Sequence, residues 1–476
     1  MSTDNSHLLS NKTSVTTDML YTMKASAGNT NSYRATIPSQ NKSVFNCGDV
    51  MIFQIPCGRK NSYLDGQNSY LKICIQNNDV TAANVLNLDH SGYGLINQLT
   101  VFQSGNLIEQ ISNYNVLLNG LIDFQMDGSS SMGYSTILGT ASTTSDALIS
   151  NGTAVAPAAV LGTLNTPLNS LRRGNQIPAS GRLTLCLPIV SSLFTLSDKM
   201  IPIGRLNSDI ELQFLLENLT QSVVCPAVPT AWTIINAELV LNIVTLSDTA
   251  EEIVRSVSPI EQPIFIHSSS YRSYPETLAT ASTGNQTFLI SSRFNSLKSI
   301  HLFPRRSTEI NDQSSYSLSS RINPNIQQYY WTCGGNVIPN KPITLNNTNS
   351  NGGYAECYSE VLKAYHSFGN INSYGSIVGA NAYNVIDSAA VVGEGIKTKE
   401  TTSNSYGNAF AIGLELECYS SGRNDTILNG INTIGQNVFF NSLHSGTALS
   451  AAFTMNFFAY FDCILVIQDG IMKCLF

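Results

Sequence analysis

The amino-acid sequence predicts an all-β protein made of two antiparallel β-sandwiches in tandem. Three observations predict it. The chain has 476 residues, and a single core stops growing near roughly 250–300, so two domains of about 200 residues each are expected. Apolar and polar residues alternate with a period of two in one segment after another, which buries one face of a strand and leaves the other polar. A short turn motif also recurs 230 residues apart in matching surroundings, which points to internal duplication.

Residues 1–44 are polar, lack a periodic apolar pattern and are expected to form a flexible N-terminal arm. The first sandwich is placed at 45–247. There Leu71, Ile73 and Ile75 oppose Lys72, Cys74 and Gln76, and Leu183, Leu185, Leu187 and Ile189 alternate again. Ile210, Leu212, Phe214 and Leu216 follow, then Ala237, Leu239, Leu241 and Ile243. Residues 248–262 are more charged, carry Pro259 and are assigned as a linker. The second sandwich is placed at 263–476, where Phe410, Ile412, Leu414 and Leu416 face away from Glu415 and Glu417. Its closing segment, Phe453 to Ile467, is aromatic and β-branched, the mark of a buried strand. Stretches rich in Gly, Ser, Thr and Asn at 127–180 and 339–353 are expected to be long surface loops.

Two segments break the β pattern. Leu107, Ile108, Ile111, Tyr114, Leu117, Leu118, Leu121 and Ile122 recur at helical spacing, as do Tyr354, Cys357, Tyr358, Val361, Leu362 and Tyr365. Each predicts one amphipathic helix of three or four turns. Gly105-Asn106-Leu107-Ile108 opens the first, and Gly335-Asn336-Val337-Ile338 precedes the second with a loop between. Strand-like segments lie just before both tetrapeptides, so the order of strand, Gly-Asn turn and helix is the same twice.

Composition narrows the function. Hydrophobic residues make up 42%, enough for two sizeable cores, which excludes a wholly disordered chain. Charged residues are only 12%, about half the roughly 25% of ordinary soluble domains, and net charge is −7. The surface is therefore polar but mostly neutral, and a bulk basic footprint for nucleic acid is absent. No apolar stretch reaches the roughly 18 residues of a membrane span. The N-terminus lacks the basic and apolar regions of a signal peptide, so none is expected. Ten cysteines form no Cys-x-x-Cys pair and several sit in strand patterns, which predicts ten free, reduced thiols. Sequons such as Asn218-Leu219-Thr220 are then expected to be unmodified.

Catalytic patterns are missing. No nucleophile elbow, phosphate loop, dinucleotide fingerprint or His-Glu-x-x-His motif occurs, so no catalytic, cofactor-binding or metal site is expected. The six histidines are scattered, and His366, late in the second helix, is expected at the surface. Glu415 and Glu417 lie two apart on one strand face; such a pair can supply an acid and a base, but a solvated or interface pair is the plainer reading. Gly393-Glu394-Gly395 with Lys397 and Lys399 has the wrong glycine spacing for a nucleotide loop. Arg172-Arg173 and Arg305-Arg306 suit phosphate, yet two dipeptides in an acidic chain predict little affinity. The arm carries Lys12, Lys24, Arg34 and Lys42 against Asp4 and Asp18, which allows weak contact with packaged nucleic acid.

A duplicated eight-stranded sandwich with one or more short helices per domain and long loops is the build of a double jelly roll. The stretch from Leu196 through Asp198, Lys199, Pro202, Gly204, Arg205 and Asp209 to Leu212 resembles the turn between two late strands of the first jelly roll in double jelly-roll major capsid proteins. Ser104-Gly105-Asn106-Leu107-Ile108-Glu109 with Tyr114 resembles the turn and helix of the same fold. The similarity is greatest to the capsid proteins of Polinton-like viruses and virophages, and it covers roughly residues 45–476. The residues of the first stretch have their own logic. Pro202 fixes φ, Gly204 permits an unusual turn, and Asp198 and Asp209 flank Lys199 and Arg205, so ion pairs are expected to clamp it.

The resemblance implies a major capsid protein of a double-stranded DNA virus. Three copies would form a pseudo-hexagonal trimer in an icosahedral shell, with penton and minor capsid proteins as further partners. It implies a place in the virion and synthesis in the host cytoplasm or nucleus, with no enzymatic activity and no cofactor. The rival is a carbohydrate-binding or adhesive β-sandwich, which should expose tryptophan; Trp232 and Trp331 both fall in strand patterns and are expected in the core.

Overall fold

The computed structural model describes residues 30–81, 84–126, 133–140, 149–150, 153–154, 176–225, 231–257, 259, 262–313, 317–319, 321–345, 354–366, 383, 409–417 and 428–476. Eight principal strands build the first half: β1 (Thr30–Pro38), β2 (Val50–Ile55), β3 (Ser62–Asn77), β4 (Ile96–Gln103), β5 (Asn106–Ser112), β6 (Arg182–Pro188), β7 (Ile210–Leu216) and β8 (Trp232–Leu246). Helix α1 (Tyr114–Gln125) lies between β5 and β6, and α2 (Asp248–Val257) follows β8. The second half repeats the plan with β9 (Ile264–Leu278), β10 (Gly284–Ile290), β11 (Leu297–Arg306), β12 (Ile326–Cys333), β13 (Asn336–Thr344), helix α3 (Ala355–Ala364), β14 (Ile412–Glu415), β15 (Val438–His444) and β16 (Phe453–Gln468). A last strand, β17 (Ile471–Leu475), pairs with the end of β16.

The duplication is visible in the pairing. In the first half one sheet runs β1-β8-β3-β6 and the other β2-β7-β4-β5; in the second they run β9-β16-β11-β14 and β10-β15-β12-β13. Every strand has its counterpart eight strands later, all pairs within these sheets are antiparallel, and both helices follow the same strand. The molecule is a double jelly roll. Alternation fills each core: Leu71, Ile73 and Ile75 on β3 and Leu239 and Leu241 on β8 are buried, and so are Phe453, Met455, Phe457, Cys463 and Leu465 on β16. Both tryptophans are core residues. Trp232 donates from Nε1 to Ser222 Oγ (2.9 Å), and Trp331 packs on Phe440 and Phe457.

Four expectations need correction. The arm expected at 1–44 contains a strand: β1 pairs with β8 from Thr30↔Leu246 to Pro38↔Glu238. Only Tyr33, Ala35 and Ile37 turn toward the core, and only partly, so an edge strand with one half-buried face gives a faint apolar signal. The supposed linker at 248–262 begins with helix α2. Its charges are spent at close range: buried Glu251 pairs with Arg255 (3.2 Å) and Arg205 (3.7 Å) and accepts from the Tyr63 hydroxyl (2.7 Å). The stretch expected to be loop from 339 is strand as far as Thr344, because β13 runs through Pro339; residues 346–353 lie outside the described residues. Most of the 127–180 stretch lies outside the described residues.

The fourth correction concerns the first helix, which starts at Tyr114 instead of Leu107. Residues 106–112 form β5, paired back on β4 from Gln103↔Asn106 to Gln98↔Ser112. Ser104 and Gly105 are both left-handed (φ 52° and 76°), the backbone that a tight hairpin between right-twisted strands requires. Gly334 and Gly335 (φ 55° and 91°) do the same between β12 and β13. The Gly-Asn motif therefore marks a hairpin turn in both halves. Asn113, also left-handed (φ 52°), breaks the strand before the helix. Leu107, Ile108 and Ile111 fit either period, and the turn decides between them.

Candidate functional site

The residues most tightly constrained by chemistry lie on the seam between the two jelly rolls. Helix α1 is buried along its length from Tyr114 to Phe124, as expected of a helix covered on all sides. Gly120 lets it approach the second half, because a Cβ there would run into the Phe303 ring of β11. Phe124 stacks on Tyr365 at the end of α3, with centroids 5.3 Å apart and planes 7° apart.

Buried ionic groups of the first half are answered by the second. Asp123 at the end of α1 is paired with His90 Nε2 (2.8 Å) and with the Arg321 guanidinium, all three fully buried. Arg321 also donates to the Leu318 carbonyl (2.7 Å). Asp89 accepts from the Leu318 and Ser319 amides (2.7 and 3.0 Å) and the Ser319 hydroxyl (2.7 Å). Glu109 on β5 accepts from the Ser191 and Ser270 hydroxyls and the Ser192 amide (3.0 Å), Ser270 coming from β9. Burial pushes the Glu109 carboxyl up from its ordinary value, against the pull of those donors. At the far end Gln103 and Asn207 hold the Gly470 and Met472 backbone. Since a buried charge is tolerated only where its partners are in place, this network fixes one orientation of the two halves.

Sequence reasoning missed these residues, although a signal was there. Glu109 and Asp123 are carboxylates inside apolar runs, and such groups need buried partners. The residues that reasoning did single out fall elsewhere. Arg305 and Arg306 are buried and spent on Ser317 and Glu309, so neither faces a phosphate. Arg172-Arg173 and the 393–399 loop lie outside the described residues. Arg205 pairs with Glu251, and Asp209 accepts from the Cys57 amide (2.9 Å), so the expected clamp is made by other partners. Gly204 is a close approach, since a Cβ would meet the Arg59 carbonyl at 2.6 Å. No disulfide joins any two of the nine described cysteines; Cys418 lies outside the described residues.

The structure does bring His366 together with Glu415 and Glu417. Gly413 on β14 makes this possible: a Cβ there would sit 2.9 Å from Val361 Cα and from Ala364 Cβ, so α3 lies flush on the strand. His366 Nδ1 is then 3.9 Å from Glu415 Oε2 and Nε2 is 3.7 Å from Glu417 Oε2. Burial, with the neighbouring Glu417 charge, pushes the Glu415 carboxyl up to about 7. His366 also lines a cavity of about 250 Å³ on the seam, with Leu121, Thr195, Tyr271, His301 and Tyr460 among its walls.

No family model matches the chain, and no curated protein matches it in sequence. Solved structures match its fold over nearly the whole length. It is similar to VP54 of PBCV-1, fitted into a reconstruction of the virophage Sputnik, with TM-score 0.57 and 9% identity over 96% of this chain and 99% of that one. A chain of the Sputnik virophage structure gives TM-score 0.55 and 14% identity over 95% and 90%. The Faustovirus major capsid protein gives 0.52 and 10% over 96% and 94%. At these identities the likeness is one of fold.

Proposed function

We propose that this chain is a major capsid protein whose three copies close into a pseudo-hexagonal capsomer of an icosahedral virus shell. The observation that carries the reading is the repeated strand order on one rigid seam. A chain holding two similar jelly rolls in fixed orientation supplies two similar corners, and threefold closure supplies six. The whole-length fold likeness to the Faustovirus major capsid protein supports it. The sparse charge also fits, because many copies packed edge to edge would otherwise repel.

Penton and minor capsid proteins are the further partners of such a shell, and the virion is its location. Contact between the arm and packaged DNA has little charge behind it. Arg34 and Lys42 belong to the ordered first jelly roll, where Lys42 pairs with Asp49 (2.7 Å). Residues 1–29 keep only Lys12 and Lys24 against Asp4 and Asp18, a balance of zero. The adhesive alternative is weakened because Trp232 and Trp331 are buried and cannot stack on a sugar. Light scattering on the purified full chain tests the proposal: a species of three chain masses is expected, and a monomer persisting at high concentration would reject it.

A further inference from the structure

The cluster at the end of α3 has the composition and geometry of a metal centre. We propose that His366, Glu415 and Glu417 bind one divalent transition-metal ion of the zinc type. One ligand atom from each residue lies within 4.8 Å of the others. Around a tetrahedral ion with bonds of about 2.0–2.1 Å, ligand atoms sit about 3.4 Å apart. The 3.9 and 3.7 Å separations run to the two different ring nitrogens, of which one can face the ion, so side-chain rotation must bring that nitrogen and both carboxylates from within 4.8 Å to that spacing.

The two carboxylates are already sorted into a protein-facing and a free oxygen. Glu415 Oε1 accepts from the Glu417 amide (2.9 Å), while Glu415 Oε2 is buried, turned to the imidazole, and accepts no hydrogen bond. Glu417 Oε1 faces Lys298 Nζ (3.0 Å), leaving its Oε2 on the histidine side. Lys298 is also 3.5 Å from Asp462, so Glu417 and Asp462 share a single lysine. Among the described residues Lys298 is the one lysine or arginine paired with this mostly buried group, and a dication would balance the carboxylates turned to His366. The Lys298 ammonium, held behind Glu417, orients the carboxylate in the manner of an outer-shell partner.

A second observation points to a ligand on the same side. His301, 1% exposed, lines the cavity that His366 also lines, and its Nδ1 has no hydrogen-bond partner. Three protein ligands leave a fourth position for water, and a polar occupant of the cavity would satisfy that buried nitrogen. Imidazole with carboxylate is a donor set that suits zinc better than calcium or magnesium.

The test is calorimetric titration of zinc ion into the full chain after dialysis against a chelator. One ion per chain is expected. His366→Ala, at a half-exposed position that leaves the core intact, should weaken binding by about 10–100-fold or more. Glu415→Gln should do the same without changing side-chain volume. His267→Ala, on an exposed strand position, should leave binding unchanged. Binding that survives both His366→Ala and Glu415→Gln, or no saturable binding by the parent chain, would overturn the proposal. Neither result bears on the number of chains in the particle.

Discussion

A methyl group added at Gly120 should destabilise the seam instead of the helix gaining from it. In an exposed helix, Gly→Ala gains about 1 kcal/mol. At Gly120 the new Cβ meets the Phe303 ring, and overpacking costs about 1–3 kcal/mol. Gly120→Ala is therefore expected to lower the midpoint of chemical unfolding, whereas a gain would show that the helix can slide. Arg321→Ala should cost more, about 3–5 kcal/mol, because it removes the guanidinium paired with the fully buried Asp123 carboxylate. His301 gives a pH signature. Burial, then the nearby His366 charge, pushes its imidazole down to about 3. The unfolded chain binds this proton near pH 6.5 and the folded chain does not, so the contribution is complete above 6.5 and is lost as pH falls toward 3. The loss is at most on the order of 5 kcal/mol. His301→Phe keeps the ring on Tyr365 and should flatten the stability profile below pH 6.5 relative to the parent chain. Parallel profiles would contradict this account. None of these three residues stands out in the sequence, because Gly120 and Arg321 matter through contacts with the other half of the chain and His301 through distant neighbours at the end of α3.

Among the elements, those with two-residue alternation or strong helical spacing were legible, and their boundaries were not. The segment after Gly105 shows why. Leu107, Ile108 and Ile111 satisfy both periods, and the hairpin turn at Ser104-Gly105 is what makes them a strand. The two descriptions separate by mutation. On β5 Leu107 is 53% exposed, whereas Leu117 on α1 is fully buried. Leu107→Ala should then change stability by no more than about 0.5 kcal/mol, and Leu117→Ala should cost about 2–5. Equal losses at both would restore a helix running through residue 107. The N-terminal strand was illegible for another reason: an edge strand is half solvated, so polar residues dilute its pattern. Removing residues 1–44 strips β1 from β8, and this variant should melt below one lacking only 1–29. Identical melting curves would show that β1 adds nothing to the fold.

At the scale of the whole molecule, the sequence carried the duplication through one hairpin motif and two helices, and the structure extends it to eight pairs of equivalent strands. The seam was not legible, because its partners are far apart in the chain: Glu109 with Ser270, Asp123 with Arg321 and Gln103 with Gly470. Those long-range pairs hold two jelly rolls at one fixed angle, and a fixed angle is what allows three chains to close into a ring of six corners. A loose pair of sandwiches would sample many angles and favour no closed ring. Electron-microscopic class averages of the purified full-length particle test this most directly. A threefold particle with a hexagonal outline is the expected result. Averages showing single, unassociated two-lobed molecules at high concentration would contradict it.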